Sequence, residues 1–152
     1  MVEDPAWFGP DNLTPEQRRE RANGWAEGLR NDKTKTKAEL IAQGHKQNPR
    51  WSQAELDAWS DAKQQVRPQV LEYVGQQASD WRALLKQIAV PVLLVTGDPS
   101  KGVIITPEMA REAQAINPQV EVANIADTGH CIRRDNFADY IAAFAAFLKR
   151  VA

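Results

Sequence analysis

The sequence predicts an α/β fold in which a helical region is followed by a parallel strand–helix–strand–helix unit. The composition changes near residue 90, because all five tryptophans and most glutamines lie before that point. After it, two short apolar runs alternate with two stretches of helical spacing. Such alternation is typical of parallel strands joined by crossover helices. We therefore assign residues 1–85 to the end of a core strand and a helical region, and residues 86–152 to the C-terminal α/β unit.

The helical region contains clear signals for the starts of helices. Thr14 precedes Pro15, the residue type favoured at the first helical position. Ser52 and Glu55 have the spacing of a capping box. Apolar spacing predicts two further helical pieces, the first with Val70, Leu71 and Val74 and the second with Trp81, Leu84, Leu85 and Ile88.

The C-terminal unit begins with the valine-rich run "VPVLLVTG". Because this run is continuously apolar and ends at Gly97, it predicts a strand that is buried on both faces. Thr106 and Pro107 predict the start of the crossover helix, and "PQVEVANIAD" predicts the second strand. The final helix is expected to present one apolar face, made of Phe137, Tyr140, Ile141, Phe144 and Leu148.

The small number of strands raises a physical objection. Fully apolar parallel strands belong inside larger sheets that helices cover on both faces. This chain offers two such strands and a short third candidate at "MVED". Since so small a parallel sheet leaves open hydrogen-bonding edges, we expect a partner chain or, preferably, a longer parent protein to complete it.

Composition argues against several functional classes. The net charge of −1 gives no reason to expect nucleic acid or an anionic membrane as a partner. The longest apolar runs are much shorter than the roughly 20 residues that span a bilayer, and the N-terminus lacks a signal-peptide pattern. One cysteine and two histidines give no disulfide and no convincing zinc site. We predict a cytoplasmic protein with no cofactor and no metal.

Two residues at the predicted strand ends point to acid–base chemistry. Asp98 directly follows Gly97, and His130 lies in the turn after the second strand. Ligands of open parallel sheets bind beyond the carboxyl ends of the strands, where neighbouring loops come within hydrogen-bond reach. An aspartate beside one imidazole nitrogen fixes the tautomer and stabilises the imidazolium. Asp98 and His130 are thus candidates for the acid and the base of a nucleophile–histidine–acid triad.

With these residues, the stretch from "DWRALLKQIAVPVLLVTGD" through "GH" to the final helix resembles the C-terminal part of an α/β-hydrolase. The resemblance implies that Asp98 is the triad acid and His130 the general base. It also implies that residues from about 5 to 80 form a helical cap and that "MVEDPAW" is the tail of the preceding core strand. Trp7 is expected to line an apolar substrate pocket beneath this cap.

The position of the acid leaves alternatives open. In the family it often lies a few residues beyond the strand-end glycine, where this chain has Ser100. Glu3 and Asp4, at the end of the preceding strand, are therefore alternative acids. Asp98 then has a simpler interpretation as a turn residue before Pro99, because Asp-Pro commonly starts turns.

The family's nucleophile elbow, G-x-S-x-G, is missing from this sequence. None of the serines lies in such a frame: Ser52, Ser60, Ser79 and Ser100. We expect the nucleophile, Ser or Asp, to come from a missing N-terminal segment or chain. The predicted function is that of a C-terminal hydrolase fragment, inactive alone, whose parent cleaves a small ester, amide, lactone or similar acyl substrate. The alternatives are a non-catalytic α/β binding or regulatory module and one chain of a split hydrolase.

Overall fold

The computed structural model describes residues 1–7, 13–71 and 80–151. The chain divides into two compact units, one made of Met1–Gly9 with Ser79–Ala152 and the other of Pro10–Ala78. The second unit is thus inserted in the sequence of the first. Compared with the predicted division after residue 85, this grouping places the first nine residues and residues 79–85 with the last two strands.

Three α-helices of the inserted unit lie wholly within the described residues, and they are α1 (Pro15–Lys33), α2 (Lys37–Gln47) and α3 (Gln53–Gln65). Both predicted helix starts are confirmed. The side chains of Thr14 and Gln17 each accept a hydrogen bond from the other residue's backbone N–H. At α3, the Ser52 hydroxyl accepts from the N–H of Glu55 at 3.2 Å. A 3-10 turn at Pro68–Val70 follows, while Val74, predicted to be helical, lies outside the described residues.

The other unit contains a three-stranded parallel sheet in the order β1–β2–β3. Its strands are β1 (Val2–Glu3), β2 (Val92–Thr96) and β3 (Val120–Asn124). The short N-terminal strand candidate and both longer strands are therefore confirmed. All five residues of β2 are buried, as its apolar run predicts. The register of the sheet pairs Leu94 of β2 with Val2 of β1, and Val92 of β2 with Val120 of β3.

In the described part of this unit, four helices accompany the sheet, namely α4 (Trp81–Leu85), α5 (Pro107–Ile116), α6 (Ile132–Asp135) and α7 (Phe137–Val151). Alternate residues of β2 face two different apolar clusters. Leu94 packs in a cluster with Leu85 and Ala113, on the face of the sheet that α4 and α5 cover. Leu93 packs with Ile132 and Phe147 on the side covered by α6 and α7. Helices cover both faces of the central strand, as its composition requires.

The final helix is confirmed, but only part of its predicted apolar face is covered: Tyr140 and the partly buried Phe144 pack in the cluster that contains Leu93. Tyr140 and Phe147 are its buried residues, because they pack against the side chains of β2. Phe137 remains 62% exposed, and Ile141 and Leu148 are also exposed. No helix among the described residues combines the length and apolar character needed to cross a bilayer.

Candidate active site

Asp4 lies at the carboxyl end of β1, beside the end of β2. Its backbone N–H donates to the carbonyl of Val95 at 2.9 Å and so extends the contact between the two strands. Its φ of 34° lies in the left-handed region, which Asp tolerates better than most residues. The side chain is fully buried. A buried carboxylate at a strand end requires compensating hydrogen bonds.

Backbone amides provide this compensation. Asp4 Oδ1 accepts from the N–H of Ile105 at 2.8 Å, and Asp4 Oδ2 accepts from the N–H of Ile104 at 2.9 Å. Both amides precede Thr106, whose hydroxyl caps α5. The loop between β2 and α5 therefore forms an amide cradle, defined here as the N–H groups of Ile104 and Ile105. This cradle fixes the position of the carboxylate.

The remaining partner of Asp4 is His130. Nδ1 of His130 lies 2.8 Å from Asp4 Oδ2. The imidazole is 55% exposed, whereas the aspartate is 0% exposed. When Nδ1–H donates to the carboxylate, Nε2 of a neutral ring carries the lone pair. Among the described residues, Nε2 has no hydrogen-bond partner, so it is the nitrogen that can exchange a proton with a bound group.

Two loops contact each other next to His130: the loop after β2, and the loop after β3, which carries His130. Within the loop after β3, Thr128 Oγ1 donates to the Ile125 carbonyl at 2.7 Å. The N–H of Asp98, in the loop after β2, donates to the Thr128 carbonyl at 2.8 Å. A Cβ at Gly97 would lie 2.5 Å from that same carbonyl oxygen. A Cβ at Gly129 would lie 2.8 Å from the Lys101 carbonyl oxygen. Because these two residues are glycines, the loops can approach each other more closely than a side chain would allow.

Two carboxylates hold the backbone on either side of His130. Asp135 Oδ2 accepts from the N–H of Gly129 at 2.7 Å. Glu3 Oε1 accepts from the N–H of Arg133 at 2.8 Å, and Glu3 Oε2 lies 3.5 Å from Arg133 Nη1. Glu3, one of the alternative acids at the end of the first strand, is therefore engaged with α6 and not with the imidazole.

Asp98 has the turn role that the sequence left open. Its Oδ1 accepts from the hydroxyl of Ser100 at 2.8 Å and from the N–H of Ser100 at 2.9 Å. These bonds, chiefly that from the hydroxyl, lower the pKa of Asp98 below its ordinary value. They also cap the 3-10 turn Pro99–Lys101. The contacts pair His130 with Asp4, whereas the sequence favoured Asp98.

Comparisons with known proteins agree with this architecture. No protein-family model and no curated protein sequence matches the chain. One similar solved structure is a variant of the N-formylmaleamic acid deformylase Nfo from Pseudomonas putida S16, with 21% identity and a TM-score of 0.68. The match covers 93% of this chain and 54% of that one. Another is E-2-(acetamidomethylene)succinate hydrolase, with 13% identity, a TM-score of 0.51 and coverage of 72% and 44%.

Both of these proteins have the α/β-hydrolase fold. This chain has a partial α/β-hydrolase fold. It spans about half the length of the two solved structures. The resemblance drawn from the strand ends and the "GH" turn is thereby confirmed at the level of the fold.

Trp7 of this hydrolase-fold chain packs mainly against another tryptophan. Its ring stacks on Trp81 with centroids 4.6 Å apart and an interplanar angle of 4°. The guanidinium of Arg82 lies 4.4 Å from the Trp81 ring centroid. Trp7 also lines an open cavity of about 450 Å³ with Ile104 of the amide cradle and Met109. Its predicted contact with substrate stays a prediction.

A second cavity, of about 250 Å³, lies at the histidine itself. It is lined by Glu3, His130, Cys131, Arg133 and Arg134. Burial raises the pKa of the Cys131 thiol above its ordinary value. Because the thiolate is the reactive form, this environment is that of a structural cysteine rather than a nucleophile.

Proposed function

We propose that this chain supplies the acid and the base of an α/β-hydrolase, with Asp4 as the acid and His130 as the base. The observation that carries the proposal is the 2.8 Å contact between Asp4 Oδ2 and His130 Nδ1, at the carboxyl ends of parallel strands. Ligands of such sheets bind at this edge. Asp4 thus takes the role that the α/β-hydrolase resemblance implied for Asp98.

The geometry suits proton transfer through Nε2. His130 Nε2 would take the proton of an attacking nucleophile and later return it to the leaving group. Asp4 would keep the proton on Nδ1 in the neutral ring and stabilise the imidazolium once Nε2 is protonated. The amide cradle holds Asp4 in place during both steps, so that little reorganisation accompanies the transfer.

The nucleophile and the oxyanion donors would come from outside this chain. The serines of the sequence lie outside any G-x-S-x-G frame, and acyl transfer requires both a nucleophile and donors to the developing oxyanion. We propose that a preceding segment or a separate chain supplies them. The inserted helical unit, Pro10–Ala78, would serve as the cap that selects the substrate.

Among acyl substrates, we favour a small N-acyl amide whose molecule also carries a carboxylic acid. The two similar structures are named as a deformylase of N-formylmaleamic acid and a hydrolase of E-2-(acetamidomethylene)succinate. Both names describe an acyl group on nitrogen in a molecule that also carries carboxylic acid. This choice narrows the ester, amide and lactone alternatives that the sequence leaves open.

The test begins with the coding DNA upstream of Met1. An in-frame sequence that encodes a strand followed by G-x-S-x-G would supply the nucleophile in the same chain. A separate upstream gene that encodes this motif would supply it as a second chain. With that segment present, we expect hydrolysis of small N-acyl amides. The His130→Ala variant should lose about 10⁶-fold in kcat, whereas His45→Ala should keep the parent rate. Normal turnover by His130→Ala would refute the proposal.

A further inference from the structure

We propose that Glu3 is a positioning residue for His130. The carboxylates of two successive residues then hold one catalytic segment: Asp4 binds the imidazole, and Glu3 binds the backbone just beyond it. This inference rests on the proposed role of His130 as the general base. It assigns to Glu3 a role that does not require contact with substrate.

The contact from Glu3 reaches the start of α6. Glu3 Oε1 accepts from the N–H of Arg133, three residues after His130, at 2.8 Å. The Glu3 side chain is only 19% exposed, so most of its surface is protected from water. Hydrogen bonds from a backbone N–H to a carboxylate are among the stronger ones in proteins. Glu3 therefore ties β1 directly to the helix that follows the histidine.

The ion pair with the Arg133 side chain contributes less. Its N–O separation is 3.5 Å, and the Arg133 side chain is 44% exposed. Solvent screens pairs of this kind, and most of them contribute little to stability. The hydrogen bond to the backbone is accordingly the interaction that fixes the segment.

Helix α6 needs an external anchor because it is so short. It comprises only Ile132–Asp135, and the N–H groups of Arg134 and Asp135 both donate to the Cys131 carbonyl. A single helical turn is not stable by itself, since nucleation costs more than one turn returns. Asp135 holds the Gly129 side of the segment, and Glu3 holds the Arg133 side. Releasing one anchor would allow the His130 ring to move relative to Asp4.

The experiment follows the imidazole itself, in the chain as it exists. Isotope-labelled histidine is observed by NMR at neutral pH, where the ring nitrogens report the tautomer and the Nδ1–H signal reports the bond to Asp4. His45, in helix α2, is the internal reference. The variants are Glu3→Ala and Glu3→Gln, with Glu108→Gln as a matched control on the exposed face of α5.

The wild type should show His130 in the Nδ1–H tautomer with slow exchange of that proton. In Glu3→Ala we expect a mixture of tautomers and about tenfold faster exchange, with His45 unchanged. Glu3→Gln retains an acceptor for the Arg133 amide, so the same change should be smaller. Glu108→Gln should match the wild type.

Unchanged His130 signals in a folded Glu3→Ala protein would overturn the inference. If that variant does not fold, Glu3→Gln decides the matter: altered His130 exchange supports the role, and wild-type exchange refutes it. The measurement concerns the geometry of His130, not turnover. Failure of the proposed hydrolase activity would therefore leave this result standing, and failure here would leave the assignment of Asp4 and His130 intact.

Discussion

Asp4 Oδ2 lies 2.8 Å from His130 Nδ1 although the two residues are 126 positions apart in the sequence. The carboxylate is completely buried and the imidazole is half exposed. A buried acid that orients an exposed base is the arrangement in which one nitrogen is fixed and the other remains available for proton transfer.

Gly97 and Gly129, where the loops after β2 and β3 contact each other, should tolerate no side chain. In Gly97→Ala and Gly129→Ala, the new Cβ would approach a backbone carbonyl oxygen to 2.5 Å and 2.8 Å. We expect each substitution to lower the free energy of unfolding by about 1–3 kcal/mol, measured by urea denaturation. Gly24→Ala, in α1 with nothing within 4 Å of the added Cβ, is the control and should stabilise by about 0.5–1 kcal/mol. Wild-type stability in both loop variants would show that the loops are not closely packed.

Alkylation of Cys131 should depend on folding. Burial raises the pKa of its thiol, so the native protein holds less thiolate at neutral pH than an unfolded chain does. We expect iodoacetamide to label Cys131 slowly in the native state and faster in urea, as followed by mass spectrometry. Raising the pH should accelerate native labelling beyond the range where an ordinary thiol is already ionised. Equal rates in the folded and unfolded chains would contradict the assignment of Cys131 as structural.

Asp32 should make the inserted helical unit sensitive to acid. Burial opposes its ionisation, but hydrogen bonds from Lys35 and Lys63, at 2.9 Å and 3.0 Å, outweigh burial and lower the pKa of Asp32. A lowered pKa in the folded state stabilises the protein above the ordinary pKa of aspartate. This contribution disappears as the pH falls through the lower, folded-state pKa.

The corresponding variant is Asp32→Asn. At neutral pH we expect it to lose about 1–2 kcal/mol of stability, and the difference from the wild type should shrink on acidification. Asp61→Asn, which removes a carboxylate from a more exposed pair with Lys37, should show a smaller effect. A difference that stays constant down to strongly acid pH would mean that the ionisation of Asp32 does not contribute.

Local signals explain what the sequence predicts correctly. The helix starts at Thr14 and Thr106 are predictable because a capping hydroxyl acts on residues three positions away. The buried strand β2 is predictable because burial on both faces requires a continuous apolar run. These features depend on neighbours in the sequence and on little else.

The partner of His130 depends on tertiary structure. Asp4 and Asp98 each follow a strand and precede a proline, so local patterns do not distinguish them. The difference lies in their partners: the amides of Ile104 and Ile105 enclose Asp4, whereas Ser100 satisfies Asp98. Similarly, the buried face of α7 follows from its packing on β2 rather than from apolar spacing alone.

The acid assignment is tested most directly by comparing two substitutions in the hydrolase completed with its nucleophile-bearing segment. Asp4→Asn leaves an acceptor for the amide cradle but removes the charge beside His130, so we predict that kcat for a small N-acyl amide falls about 10⁴-fold. Asp98→Asn preserves the cap of a turn and should leave kcat near the parent value. Loss of turnover in Asp98→Asn, with normal turnover in Asp4→Asn, would show that Asp98 and not Asp4 is the acid.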